Sequence, residues 1–303
     1  MSALKVGRRA IETSNEHKVL FPGDDVTKGE LIGYYHEAAS VMVPHLKGRP
    51  LTVQRFPDGI AKNGFYQKDA SKYLPDWIHT QKLPKDKGHV NHVICDNPAT
   101  LVYLTNQAAI TLHTGTSHVD RIEQPDQLIF DLDPPEDAFR SAQEAAELLS
   151  VLLEEVGLPW FAKTTGGKGL HTVVPLRRGW HYRDVRAFAE DSARVLALRA
   201  PQRLTTEVRR VKRAGRLYID VARNGYGAHA VAPYSVRPSP GAPVSTPLFP
   251  DELLNQDLRP ERFTMKSVLE RIGAQGDPWA GIRASAVSLQ RARAALDKLL
   301  AET

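Results

Sequence analysis

Leu128-Ile129-Phe130-Asp131-Leu132-Asp133, closed by Pro134-Pro135, reads as an apolar strand that ends abruptly. Side chains alternate along a strand. Asp131 and Asp133 therefore share one face, and Phe130 and Leu132 turn to the other, into a core. Two carboxylates a few Å apart repel each other unless one is protonated or a cation bridges them. Hard oxygen donors favour Mg²⁺ or Mn²⁺. Two plainer readings stand beside this one: the D-x-D spacing arises by chance, or an Asp before Pro-Pro caps a turn.

Outward from this strand, elements of both kinds follow. Asp137 to Val156 has the Ala- and Leu-rich face of a helix, with Gly157 as its C-cap glycine. WFAKTT, Gly166-Gly167 and LHTVVPL read as strand, turn and strand, and Arg183 to Leu198 as a helix. LYIDVA and AHAVAPYS are strands on either side of Arg223-Asn224-Gly225, and 238–250 is a Pro- and Ser-rich surface loop. Upstream, Thr27 and Glu30 form a capping box that opens a helix to Leu46, ended by Gly48 and Pro50. LTVQRF reads as a strand, 61–88 as irregular, and VNHVIC, LVYL and AITLHT as short β-like runs. Helices over 265–272 and 286–300 complete the pattern. Strands in the middle with helices between and around them predict an α+β architecture with mixed or antiparallel sheets. No linker divides the 303 residues, so the expectation is one domain over 1–303 with an N-terminal extension of about 25 residues.

The composition is that of a globular chain, with 42% hydrophobic and 25% charged residues, which excludes a disordered class. Lys and Arg exceed Asp and Glu by 40 to 35, a lean toward a polyanionic partner. Cys95 is the sole cysteine, so no intramolecular disulfide forms and a reducing, cytoplasmic compartment is expected. No apolar run approaches the ~20 residues of a membrane helix, so no membrane partner is expected.

Asp220, a lone acid in the apolar run Leu217-Tyr218-Ile219-Asp220, needs a partner if buried: a shared cation, or an Arg. Thr164-Thr165-Gly166-Gly167-Lys168-Gly169-Leu170-His171 offers backbone N–H groups, a hydroxyl, a point charge and an imidazole suited to phosphate oxygens, though without Walker A spacing. A solvated glycine hairpin is the bland alternative. Phe65-Tyr66 in a Lys-bearing loop suits base stacking or simple packing, and His113 and Arg237 suit ligands or local pairing. His89, His92 and Cys95 lack a fourth zinc ligand at a recognised spacing.

In order along the chain, HKVLFPGDDVTKGEL, GRPLTVQRFPDG, ITLHT, LIFDLDP, TTGGKGLH, LYIDVARN and VAPYSVRP resemble the polymerase domain of bacterial LigD-type DNA ligases, within the archaeo-eukaryotic primase superfamily. The resemblance implies a primase-like catalytic core with RRM-like strands. It implies metal ligation, by two Mn²⁺ or Mg²⁺ ions, at Asp131, Asp133 and Asp220. It assigns the triphosphate to Thr165, Lys168, His171, Arg223 and Arg237, the base to Phe65 and Tyr66, and the sugar to His113. Lys18 and Lys28 match lysines that bind the 5′-phosphate at a DNA gap or break. Thr165 stands where relatives usually carry Ser; near Gln54 some carry Lys, a role for which neighbouring Arg55 is the alternative. The implied activity is template-dependent addition of NTPs or dNTPs to a primer 3′-hydroxyl at gaps or double-strand break ends, in non-homologous end joining. Ku and a DNA ligase would be partners, in a bacterial, nucleoid-associated setting. The alternatives are a non-catalytic DNA-end-binding module and a haloacid-dehalogenase-like phosphohydrolase with Asp131 as nucleophile.

Overall fold

The computed structural model describes residues 2–135 and 138–302. In chain order come β1 (Ser2–Val6), β2 (Arg9–Thr13), β3 (Val19–Phe21), β4 (Val26–Thr27), α1 (Lys28–Leu46), β5 (Leu51–Arg55), β6 (Phe65–Gln67), β7 (Thr80–Pro84) and β8 (His89–Val93). Then follow α2 (Pro98–Asn106), β9 (Ala109–Gly115), β10 (Gln127–Asp133), α3 (Phe139–Glu155), β11 (Phe161–Thr164), β12 (Leu170–Pro175) and α4 (Tyr182–Arg199). The remainder are β13 (Leu204–Thr205), β14 (Leu217–Asp220), β15 (His229–Val231), β16 (Pro247–Leu248), α5 (Pro250–Leu254), α6 (Met265–Gln275) and α7 (Leu289–Glu302). This is the expected α+β class. The contacts gather the chain into two compact units, each assembled from three segments.

The first unit comprises Met1–Gly115, His229–Thr246 and Glu261–Asp277. Its main sheet is antiparallel, in the order β15-β9-β5-β6. The α1 helix forms where the capping box predicts: the Thr27 hydroxyl accepts from Glu30 N, and Thr27 N donates to the Glu30 carboxylate. Leu31, Tyr35, Ala38 and Met42 of α1 pack in one core with Leu51 and Val53 of β5, Leu101 of α2 and Ile110 and Leu112 of β9. The run LVYL, expected as β-like, is helical in α2. Asn97 caps that helix through Thr100 N, and Pro98 supplies a preset φ at its first turn. The N-terminal residues, expected only as an extension, form the β1–β2 hairpin around Gly7 at φ +59°. That hairpin buries Val6 and Ile11 against Ile32, Ala99 and Val102.

The second unit comprises Thr116–Ala228, Pro247–Pro260 and Pro278–Thr303. Its sheet runs β13-β14-β10-β12-β11-β16 and is antiparallel except for the β13–β14 pair. Helices α3 and α4 pack on it. Leu128, Phe130 and Leu132 of β10 are fully buried, as the alternation requires. The start expected for α3 at Asp137 lies outside the described residues, and Gly157 ends that helix at φ +75°. Pro247–Leu248, expected as loop, adds an edge strand to this sheet.

Candidate active site

Sheet register assembles the site. Asp131 on β10 lies directly across from Asp220 on β14 and from His171 on β12, and His171 lies across from Lys163 on β11. Directly opposed residues of antiparallel strands share a face. One face of the second unit therefore carries the row Asp220, Asp131, His171, Lys163, with Asp133 two residues beyond Asp131.

Asp131 is buried, and its Oδ2 accepts from Arg223 Nε at 3.2 Å. His171 Nε2 stands 3.4 Å from Oδ1, longer than a normal N–H···O bond, and Oδ1 has no well-formed hydrogen bond. Burial pushes the Asp131 carboxyl up. The facing His171 and Arg223 more than offset this and hold it well below the usual carboxylate range, so it is ionised at neutral pH. Burial, reinforced by the Lys163 charge, pushes the His171 imidazole down to about 4 despite Asp131. The pair at neutral pH is thus a carboxylate beside a neutral imidazole, and Arg223 is the cation bound to it.

Two neighbours shape this row. Asn224, fully buried, accepts from Ile129 N at 2.8 Å and donates to Ile129 O at 2.7 Å and Val221 O at 2.9 Å. It fixes the Arg223 turn to β10 two residues before Asp131. Gly169 passes so close that a Cβ would lie 2.5 Å from Leu132 O and 2.8 Å from Asp133 Oδ1. Only glycine permits that approach.

In the Thr165–Gly169 turn, the Thr165 hydroxyl donates to Gly169 O at 3.1 Å and accepts from Gly167 N and Gly169 N, each at 3.3 Å. The hydroxyl expected at a phosphate thus also staples its own loop. Lys168 is exposed at the tip. Asp220 Oδ1 accepts from Ala222 N at 2.8 Å. The arginine pairing contemplated for Asp220 is made by Asp131 instead.

Asp131, Asp133, Asp220, Thr165, Lys168, His171 and Arg223 all belong to the second unit; Lys18, Lys28, Phe65, Tyr66, His113 and Arg237 belong to the first. On β6, Phe65 and Tyr66 point to opposite faces. The Tyr66 ring lies 5.7 Å from His113, whereas Phe65 lies 5.5 Å from the Arg55 guanidinium. Arg55 Nε donates to Gln107 O and Nη1 to Gln67 Oε1, so it does not share the face of Gln54. Lys28 N donates to Lys18 O at 2.8 Å, which brings the two lysines together. Lys18 pairs with Asp58 at 2.7 Å, and the buried Lys28 ammonium donates to Ser14 O. Burial pushes the Lys28 ammonium down, opposed by Glu16.

Lys163 and Asn224 are absent from the sequence-based set. A single Lys in a strand reads as a solvated edge, and an Asn after a strand reads as a turn. For metal binding, no three His, Cys, Asp or Glu converge as a ready cluster among the described residues. The donor chemistry nevertheless fits: Asp131 Oδ1 is a buried acceptor without a hydrogen bond, between two further carboxylates on the same face. A hard divalent cation satisfies such an atom.

The family described as "LigD, primase-polymerase domain" matches residues 27–279. The chain belongs to that family. LigD-type polymerase domains are nucleotidyltransferases, and the family implies divalent metal ions. The chain is 32% identical over 281 residues to the multifunctional non-homologous end joining protein LigD of Pseudomonas aeruginosa, covering 92% of this chain and 33% of that one. It is also 32% identical over 264 residues to the bifunctional non-homologous end joining protein LigD of Bacillus subtilis, covering 86% and 42%. It thus spans about a third of the length of the multifunctional relatives. The polymerase domain from Mycobacterium tuberculosis ligase D in complex with DNA superposes with a TM-score of 0.85 at 29% identity, over 91% of this chain and 99% of that one. LigD membership removes the haloacid-dehalogenase alternative, in which Asp131 was a nucleophile.

Proposed function

We propose that this chain is a template-dependent polymerase of non-homologous end joining, adding NTPs or dNTPs to a primer 3′-hydroxyl at gaps or break ends that bear a 5′-phosphate. The observation that carries this reading is the cross-strand row of Asp220, Asp131 and His171, in a chain matched to the family over 27–279. It acts as one primase-polymerase domain, with about 25 N-terminal residues as an extension.

Asp131, Asp133 and Asp220 would hold two divalent ions, Mn²⁺ or Mg²⁺. Such ions lower the pKa of an attacking hydroxyl and neutralise the triphosphate and departing pyrophosphate. Arg223 holds Asp131 ionised and in place through its Nε. His171, neutral at working pH, donates or accepts a hydrogen bond without adding charge. Lys168, Arg223 and Arg237 supply cations to the triphosphate, and the Thr165 staple holds Gly167 and Gly169 N–H groups in the turn. Tyr66 and His113 share one face for base and sugar, with Phe65 behind that face. Lys18 and Lys28 take the 5′-phosphate, and Ku and a DNA ligase are the partners, in a bacterial nucleoid setting. No helix among the described residues is long and apolar enough to cross a membrane.

The test is extension of a labelled primer on a gapped duplex with a 5′-phosphate, with NTPs or dNTPs and either metal. Metal-dependent, template-matched extension that Asp131→Ala lacks is the expected result. DNA binding without extension under every condition would replace this reading by the end-binding module.

A further inference from the structure

The face of the β5–β6 sheet opposite Tyr66 and His113 opens into a cavity of about 290 Å³. That is close to the lower bound, about 300 Å³, of pockets that hold small ligands. Its floor is apolar, from Leu51, Val53 and Leu104, and Tyr103 and Tyr73 stand in its walls. Tyr73 is 79% exposed, with Lys72 Nζ 5.0 Å from its ring. The Arg55 guanidinium, also in the lining, is held by Gln107 O at 2.7 Å and Gln67 Oε1 at 2.9 Å, with the Phe65 ring 5.5 Å from it.

This lining selects a class of occupant. Asp69 sits beside Lys68 in the lining and offsets its charge, and two of the Arg55 donors are already engaged, so little cationic charge is left for a free anion. Gln67 is already engaged at both ends, with Arg55 and Asp69 O, so an aliphatic ligand would leave the Arg55 plane and the Gln107 side-chain amide without use. A flat, neutral heteroaromatic ring uses both: it stacks on tyrosine and guanidinium planes and meets amide groups at its edges. Lys68 lines the cavity and Lys72 lies against the Tyr73 ring, two exposed cations that suit the phosphate attached to such a ring.

Position narrows the source. The cavity rim includes Gln107, and the preceding Asn106 accepts from Ser14 N at 3.2 Å and donates to Glu12 O at 3.0 Å. Ser14 O in turn accepts from Lys28 Nζ. Hydrogen bonds at Asn106 and Ser14, together with the 106–107 peptide link, therefore connect the cavity rim to the lysine assigned to the 5′-phosphate. We propose that the cavity binds a nucleobase left unpaired in the DNA strand opposite the gap, beside the 5′-phosphate. This rests on the polymerase reading only for the identity of the DNA.

The test uses the whole chain and a duplex with a two-nucleotide, 5′-phosphorylated gap, carrying 5-iodouracil at the unpaired template position next to the 5′-phosphate. Irradiation should cross-link that base to the peptides holding Tyr73 or Tyr103. In a binding cycle, Tyr73→Ala and an abasic site at the same position should each weaken DNA binding at least about fivefold. Combined, they should cost no more than either alone. Ser71→Trp, which fills the cavity from its rim, should reproduce the loss. Cross-links outside the cavity, or losses that multiply, would overturn the assignment. So would labelling of the cavity by free 5-iodo-UTP in preference to the strand, which marks a mononucleotide site. Primer extension on unmodified DNA is scored separately. Its failure would count against the polymerase reading, and a cross-link failure alone against the cavity.

Discussion

In the second unit the candidate site residues are gathered by strand register and bound to one another; in the first, aromatics and His113 are spread over two sheet faces, with Lys18 before a strand and Lys28 at the start of a helix. Asp131 is buried and tied to Arg223, with His171 against its second oxygen. Phe65, Tyr66 and Lys18 are exposed. The same rule, alternation along a strand, produces both outcomes. Two residues apart, Asp131 and Asp133 are brought to one face; one residue apart, Phe65 and Tyr66 are separated. The buried row should therefore respond to changes in packing and hydrogen bonding as well as charge, and the exposed face mainly to loss of ligand contact.

Asn224→Ala breaks the contrast most sharply. It leaves the Ile129 N–H and C=O buried without their side-chain partner, at a cost of about 3 kcal/mol. A urea melt should show a lower midpoint at unchanged slope, with Arg223 loosened from Asp131. Next is Gly169→Ala, whose methyl would press on Leu132 O and Asp133 Oδ1. Overpacking of this kind costs about 2 kcal/mol, and thermal unfolding with primer extension should show both stability and rate reduced. On the exposed face, Tyr66→Ala should raise the nucleotide KM about fivefold, from lost stacking, at an unchanged melting temperature. Phe65→Ala should leave that KM alone; equal effects would show that the two faces do not act separately.

The smallest effect is in pH. An unfolded histidine titrates near 6.5, whereas His171 is pushed down to about 4. Between those values the unfolded chain binds the extra proton, so metal-free stability should fall as pH drops from about 6.5 toward 4. His171→Gln should flatten that part of the profile of melting temperature against pH.

Much of the second unit was legible because β10 is long, apolar and closed by prolines, and because Asp220 sits in an equally plain strand. In the first unit α1 was legible from its capping box. Four apolar residues cannot distinguish a helical from a strand period, so LVYL reads as β-like from sequence alone. Asn97-Pro98, a cap followed by a first-turn proline, held the missing information. The facing of Lys163 on His171, the Asn224 link to Ile129 and the Thr165 staple depend on which strands become neighbours. Local sequence does not encode that.

The central claim is that register builds a cation-dependent site from Asp131 and Asp220. Its most direct measurement titrates Mn²⁺ into wild type and Asp220→Asn, reading free ion by electron paramagnetic resonance. Primer extension and DNA affinity are then measured on the same preparations. The account predicts that Asp220→Asn weakens ion binding and extension together and leaves DNA affinity intact. Undiminished ion binding and extension in that variant would contradict it.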